Sequence, residues 1–561
     1  MNKFIKPIIL ILQTLFLYIL LLTSSSISLE KFYKRDAVSN YFSGVVSFQN
    51  NNYEDSYNFF KNLNNFEDNH SGYSKSYIET LINNSKINEA NKYSQKLKIK
   101  GLNFFQSDVV VISKLIKNKN FAKAYTYLAS TNNLNYTPLQ ELLYQIMFGW
   151  VQVEKSKLSY NEAQEIFKSI SPKYTNIKKI NDVFLNCYFD TSYTDSKFLI
   201  LVNDQKTDFS RYTFFYVNYL LKKDLFKKAS SILTSKLIDV PRNLLLNQLN
   251  LDLNQKNKKN YLKNNFDCKD ISNVIAELFY ISANALATQN LYSSSNFYVN
   301  LAIYLNQNFF SYNTLIAENF VRIGNYQKAR KTYSLLKNIG EFYSWHASKQ
   351  IALLEIEKSQ ITKAIKLLEK NYKNLKSPNV YQTFDYAQFL KNNEKFDQSI
   401  KYYSVILENI SKDHELYPKT KDGRGIAYEQ IGSWPEAEKD FLESLKANPK
   451  QAYVLNYLAY SWIEKGINIE KSLKMLEEAN RLRSNDGYIT DSLGWALYKL
   501  KKYAEAKEYL KKAVQLMPSD PIVNDHFGDI LWMNGEKLQA RYYWKYVLNL
   551  KDVKDDMKNK I

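Results

Sequence analysis

The residues with the most evident capacity for chemistry lie together near the C-terminus: Asn524, Asp525 and His526, with Asp529 one helical turn further on. On a helix Asp525 and Asp529 share a face, and carboxylates beside an imidazole are the raw material of a metal site or of acid–base catalysis. A metal site, however, wants further ligands, each held by a partner of its own. The other histidines, His70, His346 and His414, are scattered, and no HExxH, GxSxG, P-loop or dinucleotide-binding pattern occurs. Cys187 and Cys268 have no CxxC or metal spacing, and either a disulfide or two core thiols accounts for them. Asp190, Asp195 and Asp204 read as solvated loop charge. The expectation is a protein that is not an enzyme, with no catalytic residue, no cofactor and no metal.

A second set of residues points to binding. Asp422, Asn456, Asp491 and Asp525 recur at intervals of 34 or 35 residues, a ladder of acceptors at equivalent positions. One helical turn further come Tyr460, Trp495 and Asp529, and a parallel row holds Ile463, Tyr498 and Trp532. Aromatic faces beside carboxylates suit an extended or helical peptide carrying donors or basic groups. The candidate partner-binding groove is therefore Asp422, Asn456, Tyr460, Asp491, Trp495, Tyr498, Asp525, Asp529 and Trp532. Trp495 and Trp532 also fit packing between repeats. Upstream, Thr314, Lys349 and Phe384 occupy the ladder positions and the acids are missing.

The elements that must carry these side chains are clearest from Asp491 to Pro518, two amphipathic helices joined by a tight turn. Leu493, Gly494, Leu497 and Tyr498 mark the first, and Ala506, Leu510, Ala513 and Val514 the second. Gly494 and Ala506 are small where two backbones approach, and Pro518 stops the second helix. Such a pair cannot bury its apolar face alone and needs copies as neighbours. Gly528 and Ala540 lie 34 residues after Gly494 and Ala506, the period and landmarks of the tetratricopeptide (TPR) repeat. The expected fold is all-α, a right-handed α-solenoid of TPR hairpins. In a stack of this kind first helices line the inner wall and second helices the outer one.

The small residues trace the array along the chain. Beyond Ile271 the first-helix residues are Ala283, Ala317, Ala352, Ala387, Gly425, Ala459, Gly494 and Gly528. Their second-helix partners are Ser295, Ala329, Ala364, Ser399, Ala437, Ser472, Ala506 and Ala540. This defines an array of about eight repeats over 271–554, followed by a charged tail, 555–561. A degenerate array over 37–170 keeps the same spacing at Gly44 with Ser56, Ile78 with Ala90 and Ile112 with Ala124. Between them 171–270 is irregular, though Val217 with Ala229 preserves one register, and the polar run Asn254–Asn265 is the expected seam between two halves.

With 14 Gly and 10 Pro in 561 residues, breakers are too sparse for a strand-and-turn protein. The formal charge of +20 follows from lysine spread over the whole chain and reads as a solvated exterior. Residues 1–28 read as a signal peptide or N-terminal anchor: Lys3 and Lys6, the apolar run Ile8–Leu22, then Ser26 and Ser28 at small-x-small spacing. The chain is expected to be exported, periplasmic if cleaved and inner-membrane anchored facing the periplasm if not. In the uncleaved case it is a TPR assembly factor touching the membrane only through that segment. Basic arrays of helical pairs also include RNA-binding repeats, but the export signal and the acidic ladder argue against nucleic acid.

The segments YVLNYLAYSWIEKG (Tyr453–Gly466), DGYITDSLGWALYKL (Asp486–Leu500) and DPIVNDHFGDILWMNGEKLQARYYW (Asp520–Trp544) resemble the C-terminal repeats of exported proteobacterial TPR proteins. Some of these are lipoprotein adaptors of periplasmic carboxy-terminal processing proteases. The resemblance implies a scaffold with a protein or peptide ligand, such as a processing protease or a cell-wall hydrolase, in envelope assembly or turnover. This chain departs from the adaptors in having no lipidated cysteine near its start.

Overall fold

The computed structural model describes residues 35–63, 66, 70–131, 136–255, 265–550, 553 and 555–560. The segment 1–28 and most of the polar run expected as a seam lie outside the described residues. Every regular element among those described is helical, from Arg35–Gln49 to Asp555–Lys560. The chain divides into two compact units, Met1–Leu354 and Glu355–Ile561.

Both units are built from one hairpin, and the turn that closes it is the same from copy to copy. In the pair Gly487–Lys499 and Tyr503–Leu516, the Lys502 N–H donates to the Leu497 carbonyl at 2.9 Å and the Lys501 N–H to Tyr498 at 2.9 Å. Lys501 takes the left-handed conformation this closure requires, at φ 60°. The same six-residue closure recurs in Asn120 to Leu115, Leu225 to Leu220, Lys395 to Leu390 and Glu536 to Leu531. Starts are equally explicit: the Asp486 carboxylate accepts from the Ile489 N–H, and Asp520 accepts from Ile522 and Val523.

The twelve-residue spacing of small residues is the contact between the two helices of each pair. Ala283, Ala317, Ala352, Ala387 and Ala459 are fully buried, as are Ser295, Ala329, Ala364, Ser399, Ala437, Ser472, Ala506 and Ala540. Glycine is needed where the facing residue is large. A Cβ on Gly494 would lie 2.7 Å from Leu510 Cγ and 3.1 Å from its backbone nitrogen, and one on Gly425 2.8 Å from the Phe441 ring. The earlier pairs obey the same rule, with Ser56, Ala90, Ala124, Val217 and Ala229 inaccessible to solvent.

Within the first unit the array does not remain an open stack. The helix Ile271–Thr288 packs on Phe105–Lys117 and Pro138–Ser156, and Tyr292–Leu305 packs on Ser71–Asn83 and Phe105–Lys117. Residues Ile271 to Phe279 are buried on every face, the signature of a central helix. Tyr53 Oη donates to Ser293 Oγ at 3.0 Å, Asn300 Nδ2 to Asn83 Oδ1 at 3.2 Å, and Lys117 Nζ to the Leu305 carbonyl at 2.9 Å. This is why the division of the chain falls at Leu354, well beyond 254–265. The hairpin that opens the expected C-terminal array is held by the N-terminal helices.

The middle segment also has more order than its sequence promises. It holds the helices Thr175–Phe189, Thr194–Val202, Ser210–Lys222, Phe226–Asp239 and Leu244–Asn254. Asp190, Asp195 and Asp204 correct the reading of loose loop charge. Asp190 bonds Lys223 at 2.7 Å and Tyr219 at 2.9 Å, Asp195 bonds Lys228 at 2.7 Å and Tyr216 at 2.6 Å, and Asp204 bonds Lys179 at 2.5 Å. The Lys223 bond holds Asp190 below the usual carboxylate range, as the Lys179 bond does Asp204. For Asp195 burial pushes upward, but Lys228 and Tyr216 outweigh it. Arg211 reaches from this segment to the central helix, its Nε and Nη2 donating to the two Glu277 oxygens at 2.6 and 2.9 Å. Cys187 and Cys268 are joined, with Cα atoms 5.9 Å apart and a sequence separation of 81. Closing a loop of that length stabilises by about 4 kcal/mol in the chain-entropy account.

The first unit also carries a pH-dependent burden. Burial pushes the Glu79 carboxyl up to about 7, against smaller opposing effects of Lys75 and the Gln106 amide. Because the folded form holds the proton more tightly than the unfolded chain, Glu79 costs nothing below about pH 4.5 and progressively more up to pH 7, about 3 kcal/mol in all. Glu79→Gln is therefore expected to raise the melting temperature at pH 8 and leave it unchanged at pH 4.5. Equal melting shifts at the two pH values would refute this.

Candidate functional site

In the second unit the first helices Leu416–Gln430, Ala452–Glu464, Gly487–Lys499 and Pro521–Met533 stand side by side, each followed by its second helix. A groove of about 450 Å³ runs across them, lined by Glu429, Asn456, Tyr457, Tyr460, Glu464 and Asp491, with Tyr488 and Ile522 on its lip. Nearly all of its lining comes from first helices, Lys465 being the residue that follows one. Tyr488 and Ile522 are 59% and 50% exposed.

Three of the nine candidate residues, Asn456, Tyr460 and Asp491, meet in this groove. Asp422 lies on the first of the four helices, half-buried, its carboxyl pushed up to about 6 by burial with Lys391 pulling the other way. The structure places the others differently. Trp495 is sandwiched between His526, at 3.9 Å and 11°, and Tyr498, at 4.6 Å and 6°. Its Nε1 donates to Glu464 Oε1 at 2.6 Å. Tyr498 and Trp532 pack against the apolar core of the last repeats together with Ile463. Trp532 lies 5.5 Å from Trp544, with Lys537 and Arg541 over its ring. Asp525 is buried and Asp529 half-buried, and neither lines the groove.

The cluster with catalytic potential turns out to be a brace. His526 Nδ1 lies 2.9 Å from Asp491 Oδ2, a bond between first helices of successive repeats, and one face of the imidazole is covered by Trp495. Among the described residues no group of three or more His, Cys, Asp or Glu side chains is placed to hold a metal ion. Glu429 accepts from Tyr457 Oη at 2.9 Å, and Glu464 takes the Trp495 bond with Lys499 3.6 Å away. Burial raises the Tyr460 hydroxyl above its ordinary range, with Glu464 and Asp491 adding to it, so it stays a neutral donor.

Glu429, Glu464, Tyr457 and Tyr488 line the groove from outside the candidate residues of the three sequence rows. A signal existed: Tyr488 and Ile522 are 34 residues apart, a further row of the same period, and Glu429 lies 34 residues before Ile463, one repeat upstream in its row.

The tetratricopeptide repeat family matches residues 321–553. A TPR repeat-containing protein of Pseudomonas aeruginosa is 30% identical over 146 residues, 26% of this chain and 23% of that protein. The type IV pilus assembly protein PilF of the same organism is 29% identical over 111 residues, 19% of this chain and 43% of PilF. The chain thus spans under half the length of either relative. A tetratricopeptide repeat protein from Parabacteroides merdae aligns over 45% of this chain and 96% of its own, at 15% identity and a TM-score of 0.37. Repeats of this family form protein–protein interaction scaffolds. The all-helical hairpins and their buried small residues are similar in form to tetratricopeptide repeats, and the family match covers residues 321–553.

Proposed function

We propose that this protein is a non-enzymatic scaffold that holds a segment of another protein in the groove across the first helices of its last repeats. The observation that carries the reading is the groove's composition. Acids and tyrosines converge there from three consecutive hairpins, with Ile522 added by a fourth, on the face that a TPR stack leaves free for a visitor. Asp422, Asp525 and Asp529 belong to this proposal as residues of the same first helices, and Trp495, Tyr498 and Trp532 as the packing that holds those helices.

The proposed setting is the periplasm, in assembly or turnover of envelope components. Three observations support it: the export-like residues 1–28, the use of both cysteines in a disulfide, which suits an oxidising compartment, and the similarity to PilF, whose name places it in pilus assembly. No helix among the described residues is long and apolar enough to cross a membrane. A processing protease or a cell-wall hydrolase is the partner class implied by the resemblance of the last repeats. The second reading, an inner-membrane-anchored assembly factor, differs in whether residues 1–28 stay on the mature chain.

A photo-crosslinking amino acid in place of Tyr488 is expected to capture a discrete protein partner in living cells. The same group at Glu508, exposed on a second helix, is expected to capture none. Equal labelling from both positions would overturn the groove as the binding surface, and the N-terminus of the purified protein separates the two settings.

A further inference from the structure

We infer that the groove contains a subsite for one cationic side chain, an arginine or lysine of the bound segment, centred on Asn456 and Asp491. The inference rests on the groove being the binding surface and adds what it selects.

Two acceptors there are left waiting. Asp491 is only 5% exposed, and its Oδ2 is used by His526. Its Oδ1 has no hydrogen-bond partner, and neither does Asn456 Oδ1, equivalent to it one repeat earlier. A buried carboxylate oxygen without a donor is costly, and a donor brought by a ligand relieves that cost. Both residues line the groove, and although the two oxygens are covered in this conformation, a side-chain rotation on binding brings them to donors of the ligand.

The surroundings specify the charge of that donor. Glu429 and Glu464 add two carboxylates to the lining. The single lysine, Lys465, has its ammonium 4.9 Å over the Trp434 ring, so it is already engaged. Tyr457, Tyr460 and Tyr488 complete the walls with ring faces that attract a cation. In a chain of formal charge +20 this is an acidic island. The unit that carries the groove, Glu355–Ile561, has 34 Lys and Arg against 30 Asp and Glu, so the preference for a cation comes from the groove's own carboxylates. A guanidinium, with its planar set of donors, suits two separate acceptors better than an ammonium does.

The test uses the full-length chain and a displayed library of random dodecapeptides. The expected result is that enriched peptides share one arginine or lysine. Replacing it by norleucine should weaken binding at least tenfold in a fluorescence titration, and Asp491→Asn should weaken the parent peptide comparably. The two changes together should cost little more than either alone, the mark of a direct pair. Asp491→Asn keeps an oxygen for His526, and Glu429→Gln, nearer the surface, serves as the second variant if melting shows the first to be destabilised. Peptides that lose binding on Tyr460→Ala yet tolerate norleucine overturn the cation subsite and leave the groove standing. No enrichment, or binding indifferent to Tyr460→Ala and Asp491→Asn alike, overturns the groove itself.

Discussion

Arg211→Met is expected to destabilise the first unit by about 3–5 kcal/mol, the cost of stranding a buried charge. Glu277, on the central helix, is fully buried and receives two guanidinium bonds, with a third from Tyr312 Oη at 3.2 Å. The guanidinium lies 4.0 Å from the Tyr280 ring and 5.0 Å from Phe309. Met fills the aromatic cage but leaves the carboxylate with one neutral donor. The informative companion is Arg211→Met with Glu277→Leu, which removes both charges and keeps the volume. That pair is expected to recover most of the loss, since a buried ion pair is often no better than an apolar replacement. Urea denaturation followed by helical circular dichroism separates the cases. A single variant within about 0.5 kcal/mol of wild type would show that the pair does not hold this unit together.

The second large effect concerns Asp491 and Asp525. Taken from sequence alone, reversing both charges should abolish binding and spare the fold. With 5% and 3% of their surfaces exposed, and with Asp491 bonded to His526, the structure predicts otherwise. Asp491→Lys with Asp525→Lys places two ammonium groups where carboxylates are packed and removes the brace between the last two first helices. Each misplaced buried charge costs on the order of 3 kcal/mol. The last two hairpins are therefore expected to melt early and to be trimmed by protease near Gly487, with the preceding repeats left intact. A doubly reversed chain with an unchanged melting temperature and protease pattern would refute the placement of both acids. Binding in the groove has to be probed at its lip, where Tyr488 and Ile522 can change without disturbing the core.

These two cases mark where sequence reading stops. Periodicity located the hairpins because a helix pair that must touch its own partner needs a small residue at a set spacing, whatever lies around it. Gly494 with Ala506 and Gly44 with Ser56 are local solutions to that need. Which face of a first helix stays open is a different matter, because an acid on the inner wall looks alike in sequence whether a neighbouring repeat covers it or not. Asp491 and Asp525 recur at the repeat period as groove residues would, yet their burial is decided by His526 and the helices that follow.

From the amino acids alone came the all-helical class, the repeat length and the paired small residues. All of these follow from contacts within one hairpin or between adjacent copies. Tertiary structure decided what depends on distant chain. It put the hairpin at Ile271 inside the N-terminal array, the ion pair of Arg211 with Glu277, the joining of Cys187 to Cys268 and the division at Leu354. It also sorted the ladder into groove, brace and core. The physical reason is common to all of these. Helix and turn formation is set by neighbours in sequence, whereas burial is set by whatever surface arrives from elsewhere to exclude water.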